Sequence, residues 1–437
     1  MGIIGTLLIL AAASVTSTVP ERTPGTPVEA SWGDTLVLTL PDVRKLAIAQ
    51  NPDLRADRLA IPMAMGAVRQ SRVEGLNPSL EVQRFESGIA GRNPEFGVAL
   101  MTDLPWSGQR GLRTDAARVG VERSIAAIVD AERQVVTRAS LAFVRALAAN
   151  QRLLVADTMV TATRRLYDVT RIQLREGEIS SLEANLAEIE FGRAEARLFG
   201  ARRGALSAMT DLRLAIGVGL ERPIRLVPIE GSLPDPNRLS QASLLAAALD
   251  HRPDLLAQRR AIEQVDLERR LASRQGIPTP QLSGLLSRDA GEQETRLGLG
   301  IRIPLPILDR NRGRVDAETA RLEQAERRFD ALALSAGLQV NEAFLAYTIA
   351  SNESTVLEQF VLEPAHRNLE LLEVAYQAGK VGLPTLLLLR NQLLDAELEY
   401  WDAWQARHDA LLRLELAVGA PIDEANSTPH AAQENNR

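Results

Sequence analysis

With 437 residues, only 4% aromatic residues and no cysteine, the chain is long enough for two or three ordinary domains but has the composition of long helices. The missing cysteine excludes disulfides, thiolate metal sites and lipidation of an N-terminal cysteine. A net charge of −6, with basic and acidic residues interspersed along the helices, excludes nucleic acid as a partner.

The chain opens with MGIIGTLLILAAASVTS, an apolar run of export-signal length followed by small residues. Residues 1–30 are expected to be a cleaved signal and a Pro/Thr-rich leader. No other apolar run approaches the roughly 18 residues that a membrane helix needs, so any crossing falls to strands. His251, His366, His408 and His430 show no ligand spacing and read as ordinary surface histidines.

The remainder is a duplication. NPDLRADRLAI at 51–61 matches RPDLLAQRRAI at 252–262, AFVRA at 142–146 matches AFLAY at 343–347, and LAIGV at 214–218 matches LAVGA at 416–420. A first repeat of 31–218, a Pro-rich connection of 219–239, a second repeat of 240–420 and a polar tail of 421–437 follow from the constant offset.

Each repeat reads alike. A short helix starts near Thr39 or Ser240, and a proline then resets the chain into a helix over 52–75 or 253–275. Strands follow at 79–87 and 95–104, and at 281–288 and 294–303. Long helices over 108–175 and 312–377 end at Gly177 and Gly379, and return helices run to Gly217 and Gly419. The strands at 95–104 and 294–303 alternate with period two, and those at 79–87 and 281–288 alternate less cleanly. Phe96, Val98 and Leu100 share one face, as do Leu297, Leu299 and Ile301, and small or polar residues take the other. A hairpin on a soluble core has this pattern, and so does a tilted bilayer crossing with these six residues facing lipid.

The long helices would each span about 100 Å, nearly the summed length of the shorter helices beside them. Four strands cannot close a barrel, and a bilayer accepts no open sheet. Two chains give eight strands, which fill their own lumen; three give twelve and leave a passage. The fold expected is thus mainly α with a small transmembrane β part: a trimeric 12-stranded β-barrel continued by a long α-helical barrel. Pro105, Gly108, Pro304, Pro306, Asp309 and Arg310 mark the barrel-to-helix junction.

The duplicated strand–strand–long helix unit, PLPILDRNRG at 304–313, and the glycine tips LREGEISSLE and YQAGKVGLPTLL together resemble the TolC-like outer membrane efflux protein family. PLPILDRNRG is most similar to its cobalt–zinc–cadmium resistance branch. The resemblance implies a passive homotrimeric conduit in the outer membrane of a Gram-negative bacterium, in contact with outer membrane lipid and projecting into the periplasm. It implies docking to a periplasmic adaptor (membrane fusion) protein and an inner-membrane resistance–nodulation–division pump, with no chemistry and no cofactor. It places adaptor docking at the helix tips, Gly177, Glu178, Gly379, Lys380 and Gly382, and offers Glu183 and Tyr376 as channel gate candidates. Thr385, Leu388 and Val381 stand where the family has further acidic or arginine gate positions, a departure from its ionic lock. Leu386, Leu387 and Leu389 are open between helix seam and adaptor contact.

Two other classes fit the sequence less well. A soluble periplasmic coiled-coil adaptor would carry one helical hairpin flanked by β-rich domains, not two hairpins. A hydrolase would need a nucleophile elbow, metal spacing or phosphate loop. The cargo expected is heavy-metal cations, with drugs or other small molecules as the alternative.

Overall fold

The computed structural model describes residues 35–75, 77–85, 95–289 and 295–422. The expected signal and leader at 1–30, the strand ends at 86–87 and 294, the tail from 423 and His430 lie outside the described residues.

β1 (Leu36–Leu38) leads into α1 (Leu40–Gln50). Thr39 starts that helix with a reciprocal cap, in which its hydroxyl accepts from the Asp42 N–H and the Asp42 carboxylate accepts from the Thr39 N–H. Asn51 ends α1 and caps α2 (Pro52–Asp57) through its side-chain oxygen, 3.0 Å from the Leu54 nitrogen. The single helix expected over 52–75 is in fact two, because a turn at residues 58–59 separates α2 from α3 (Ala60–Val73). β2 (Ser79–Phe85), β3 (Glu95–Asp103), α4 (Gln109–Glu176) and α5 (Ser181–Ile216) complete the first repeat. β4 (Ile224–Leu226), in the connection, pairs parallel with β1 and ties the end of that repeat to its beginning.

The second repeat runs α6 (Gln241–His251), α7 (Pro253–Gln275), β5 (Gln281–Asp289), β6 (Thr295–Arg302) and α8 (Arg312–Val356). A π-helical segment, Leu357–Leu362, then leads to α9 (Glu363–Gln377) and α10 (Leu383–Val418). The uninterrupted helix expected over 312–377 is therefore broken. Pro364 explains it, since it has no N–H for the helical ladder and its ring presses on the carbonyl four residues back. The 68-residue α4 has no such interruption and spans about 100 Å.

α4 packs against α3 and α7 on the sheet side, and against α5 and α10 beyond them; α10 in turn packs on α8. Many seam positions are small. On α5 the buried residues Ala187, Ala194, Leu198, Ala205 and Leu212 fall at heptad intervals, so neighbouring helices approach closely. Midway along the helices α1 covers a core of Val43, Ala47, Phe143, Leu212 and Ile216, and α6 covers its counterpart of Leu244, Val340, Tyr347, Leu414 and Val418.

The repeated sequence motifs touch one another at this level. Asn51 donates to the Ala215 carbonyl at 3.0 Å, and Arg252, its counterpart, donates to the Ala417 carbonyl at 3.1 Å. Gly217 must be bare for this contact, since a Cβ there would lie 2.5 Å from the Gln50 carbonyl oxygen.

Candidate functional site

The four long strands form one antiparallel sheet in the order β2-β3-β5-β6. Pairing register puts residues into rows across all four strands. One row is Val82, Val98, Leu286 and Leu297; the next is Leu80, Leu100, Gly284 and Leu299; a third holds Thr102, Leu282 and Ile301. All lie on one face. Phe96, Val98, Leu100, Leu297, Leu299 and Ile301 thus sit together on that face, and Leu299 is 85% exposed in the single chain. The other face carries Glu81, Gln83, Gly97, Ser283, Ser287, Arg296, Gly298, Gly300 and Arg302, with Met101 and Leu285 among them. A sheet with one mainly apolar and one mainly polar face suits lipid on one side and water on the other. Among the described residues its edge strands β2 and β6 have no second neighbour.

At the base of the sheet the chain turns into helix twice. Gly108 (φ 76°) precedes α4, and Asn311 (φ 57°) takes the equivalent place before α8. Asn311 receives support from both sides: its N–H donates to Asp309 at 2.8 Å, and its side-chain nitrogen donates to the Ala272 carbonyl at 2.6 Å. Sequence reasoning named Asp309 but not Asn311, although the repeat offset aligns it with Gly108 and asparagine tolerates the left-handed region. Also missed was Trp106, whose exposed indole donates to the Pro278 carbonyl at 2.8 Å. Pro105 is half-buried, whereas Pro304, Pro306, Asp309 and Arg310 are exposed, beside the exposed side chains of Leu305, Ile307 and Leu308.

At the opposite end both hairpins close identically. The Glu178 N–H reaches back to the Gln173 carbonyl and the Lys380 N–H to the Ala375 carbonyl, each at 2.9 Å. Both closures pass through a left-handed glycine, Gly177 (φ 77°) and Gly379 (φ 69°). Gly177, Glu178, Gly379, Lys380 and Gly382 are all exposed. Leu386 and Leu387 are buried with Leu166, Ala187 and Leu383, which makes them seam residues; Tyr376 packs on this cluster, Leu389 is half-buried and Leu388 is exposed. The structure brings the gate candidates together. Burial raises the Tyr376 phenol above its usual range, and the nearby Glu183 charge raises it further. Glu183 also caps α5, its carboxylate accepting from the Ser180 N–H and hydroxyl, each at 3.0 Å.

Between the two ends, a groove of about 910 Å³ runs between α4, α8 and α10, lined by Arg133, Arg138, Arg152, Glu342, Asp409 and Arg413 among others. It faces away from α1. Arg44 of α1 binds Ser140 and Glu415, while Arg138 and Arg413 lie two residues off those positions, about 200° around their helices. Burial raises the Asp409 carboxyl, against the pull of Arg145 at 3.7 Å. The expectation of surface histidines fails at His408. It is buried beside Trp404, whose carbonyl lies 2.8 Å from Nδ1, and burial lowers its pKa. A polar residue on a half-buried helix face leaves no trace in composition that would have signalled this. Among the described residues no helix is long and apolar enough to cross a membrane, and no three His, Asp or Glu side chains converge as a metal site.

Similar proteins have the same construction. The profile of the Outer membrane efflux protein family matches the chain twice, over residues 43–218 and 244–420. The cobalt-zinc-cadmium resistance protein CzcC of Cupriavidus metallidurans is 23% identical over 386 residues, covering 87% of this chain and 90% of CzcC. Among solved structures, CusC superposes with a TM-score of 0.72 at 18% identity, over 87% of this chain and 92% of CusC. The Campylobacter jejuni outer membrane channel CmeC gives a TM-score of 0.74 at 15% identity, over 87% and 85% of the two chains. A Pseudomonas aeruginosa membrane protein gives 0.73 at 22% identity, over 92% and 99%. With both repeats matched and the apolar-faced sheet in place, the chain belongs to the outer membrane efflux protein family, and its site of action is the outer membrane.

Proposed function

We propose that the protein is the outer membrane channel of a tripartite heavy-metal efflux system: a homotrimer whose sheets join into a twelve-stranded barrel and whose helices continue as a periplasmic tube. The observation that carries this reading is the sheet with one apolar face and two unpaired edges. β6 of one chain joined to β2 of the next would extend every apolar row around a closed wall, the only sheet a bilayer tolerates. The helices support the same ring. Leu334, Leu338, Leu345, Ile349, Val356 and Phe360 expose a stripe with an eleven-residue repeat on α8 and the π segment, and α5 exposes Leu182, Ile189, Phe199 and Leu206. These stripes lie on the outer helices of the chain's own layer, as β2 and β6 lie at the edges of its sheet. The groove lined by Arg138 and Asp409 then faces the lumen.

Glu183 and Tyr376 narrow the periplasmic mouth, and the tips at Gly177, Glu178, Gly379, Lys380 and Gly382 meet the adaptor, which links the tube to an inner-membrane pump. The channel performs no chemistry. Likeness to CzcC supports cobalt, zinc and cadmium ions as cargo. Deletion of the gene should sensitise cells to these ions, and complementation should restore resistance. Sensitivity to dyes or antibiotics without sensitivity to metals would overturn the cargo in favour of small-molecule efflux. A monomeric mass in detergent would overturn the ring.

A further inference from the structure

The apolar face of the sheet ends in a row unlike the others. Two residues beyond the row of Val82 and Leu297, about 7 Å along the strands, register aligns Arg84, Phe96, Arg288 and Thr295. Arg84 and Arg288 are both exposed, and among the described residues of this face they are the only charged ones. They flank one aromatic ring: the Arg84 guanidinium sits 5.7 Å from the Phe96 centroid, and Phe96 is paired directly to Arg288 on its other side. Their backbones are therefore two strand spacings apart, about 10 Å. The row lies at the end of the strands away from the helices. At the helical end the same face closes with Thr102, Leu282 and Ile301 and carries no charge.

We propose that Arg84 and Arg288 bind the phosphate groups of the phosphorylated glycolipid that forms the outer leaflet of the outer membrane. This rests on the reading of the sheet as a barrel wall with its helices in the periplasm, which puts the arginine row at the outer surface. A cation on a lipid-facing strand is costly near the midplane and nearly free at the interface, so the position is that of a headgroup contact. Arginine suits the ligand: its planar fork gives phosphate two parallel charge-assisted hydrogen bonds, and its weakly hydrated cation stacks on an aromatic face. Phe96 holds the Arg84 arm flat at the apolar boundary, where screening by water is reduced. The two leaflets differ in charge chemistry in the same sense as the two ends of this face. The outer one presents dense phosphate on sugar, and among the described strand residues of this face only the outer end presents arginine.

The test uses the purified full-length trimer in detergent. It is titrated with lipid A bearing both phosphates and with the same lipid stripped of phosphate, and bound lipid is counted by native mass spectrometry. The wild type should prefer the phosphorylated lipid by about tenfold or more, the worth of one or two charge-assisted bonds. R84Q/R288Q should lose that preference. R296Q, one residue from Leu297 and on the opposite face, should keep it. Equal retention of both lipids by the wild type overturns the proposal, and so does an unchanged preference in R84Q/R288Q. Displacement of the lipid by millimolar inorganic phosphate would show a free-anion site and also overturns it. The wild-type comparison needs no variant to fold. A wild-type chain outside the membrane fraction overturns the channel reading as well, whereas a membrane trimer indifferent to phosphate overturns this proposal alone.

Discussion

Ser180 and Glu183 hold each other at the mouth of the first hairpin: the Glu183 carboxylate accepts from the Ser180 N–H at 3.0 Å, and the Glu183 N–H donates to the Ser180 hydroxyl at 3.3 Å. The gate candidate is thus a helix cap as well. S180A should destabilise the tip by about 1 kcal/mol. E183Q keeps the reach-back bond and should leave thermal stability unchanged, yet it removes a negative charge beside Tyr376. Tyr376 should then ionise at lower pH, read as a shifted step in ultraviolet titration, and single-channel current should become less cation-selective. Unaltered selectivity in E183Q with a stability loss in E183A would leave Glu183 only its capping role.

The tips test adaptor docking. Valine at a left-handed position strains the backbone by about 1–3 kcal/mol. G177V and G379V should leave trimer yield intact, since the sheet and the midway cores are far from both turns. They should lower adaptor crosslinking and metal resistance together. Full crosslinking and resistance in both variants would remove the tips from the docking surface.

Neighbouring strand positions should respond oppositely. L299R puts a cation on the apolar face, at a cost of roughly 2–4 kcal/mol near the midplane, and should reduce trimer in the outer membrane. G300R enters the polar face, where its Cβ meets only the rotatable Ser283 hydroxyl at 2.8 Å, and should permit assembly while lowering conductance. The reverse outcome would shift the register by one residue.

Asp254 should make the midway level acid-sensitive. Burial raises its carboxyl, but the hydrogen bond and charge of buried Arg252, 2.7 Å away, outweigh that and hold it below the usual 3.8. An acid with a depressed folded pKa adds stability that is fully present above its unfolded value and lost as pH falls through the folded one. D254N should cost about 2 kcal/mol at neutral pH. Its deficit against wild type in trimer melting should shrink below pH 3.8. A constant deficit across that range would assign the effect to packing.

Much of the architecture was legible because its periodicities are strict. Period two marked Phe96, Val98 and Leu100, and a fixed offset paired Gly177 with Gly379. Where the signal was short or local, reading failed. β1 and β4 are three residues each, too brief for alternation to register, and only the fold brings them together. The reciprocal cap is written in the sequence as Ser180-x-x-Glu183. Pro364 was the sequence signal for the break in the second long helix. Leu285 sits on the polar face of β5, which is why that strand alternates poorly. The docking role proposed for the tips concerns another molecule, and no intrachain force writes it into the pattern.

The π segment stands in one repeat only, and the duplication gives that fact its meaning. Six identical staves around a pore could change only in concert, since any substitution would appear in all six. Fusing staves in pairs frees alternate ones to diverge. One lineage keeps an unbroken 68-residue strut while its twin accepts a π-helical joint at Leu357–Leu362. A wall built this way can assign rigidity to one half of its members and compliance to the other, a division of labour closed to an assembly of unfused repeats.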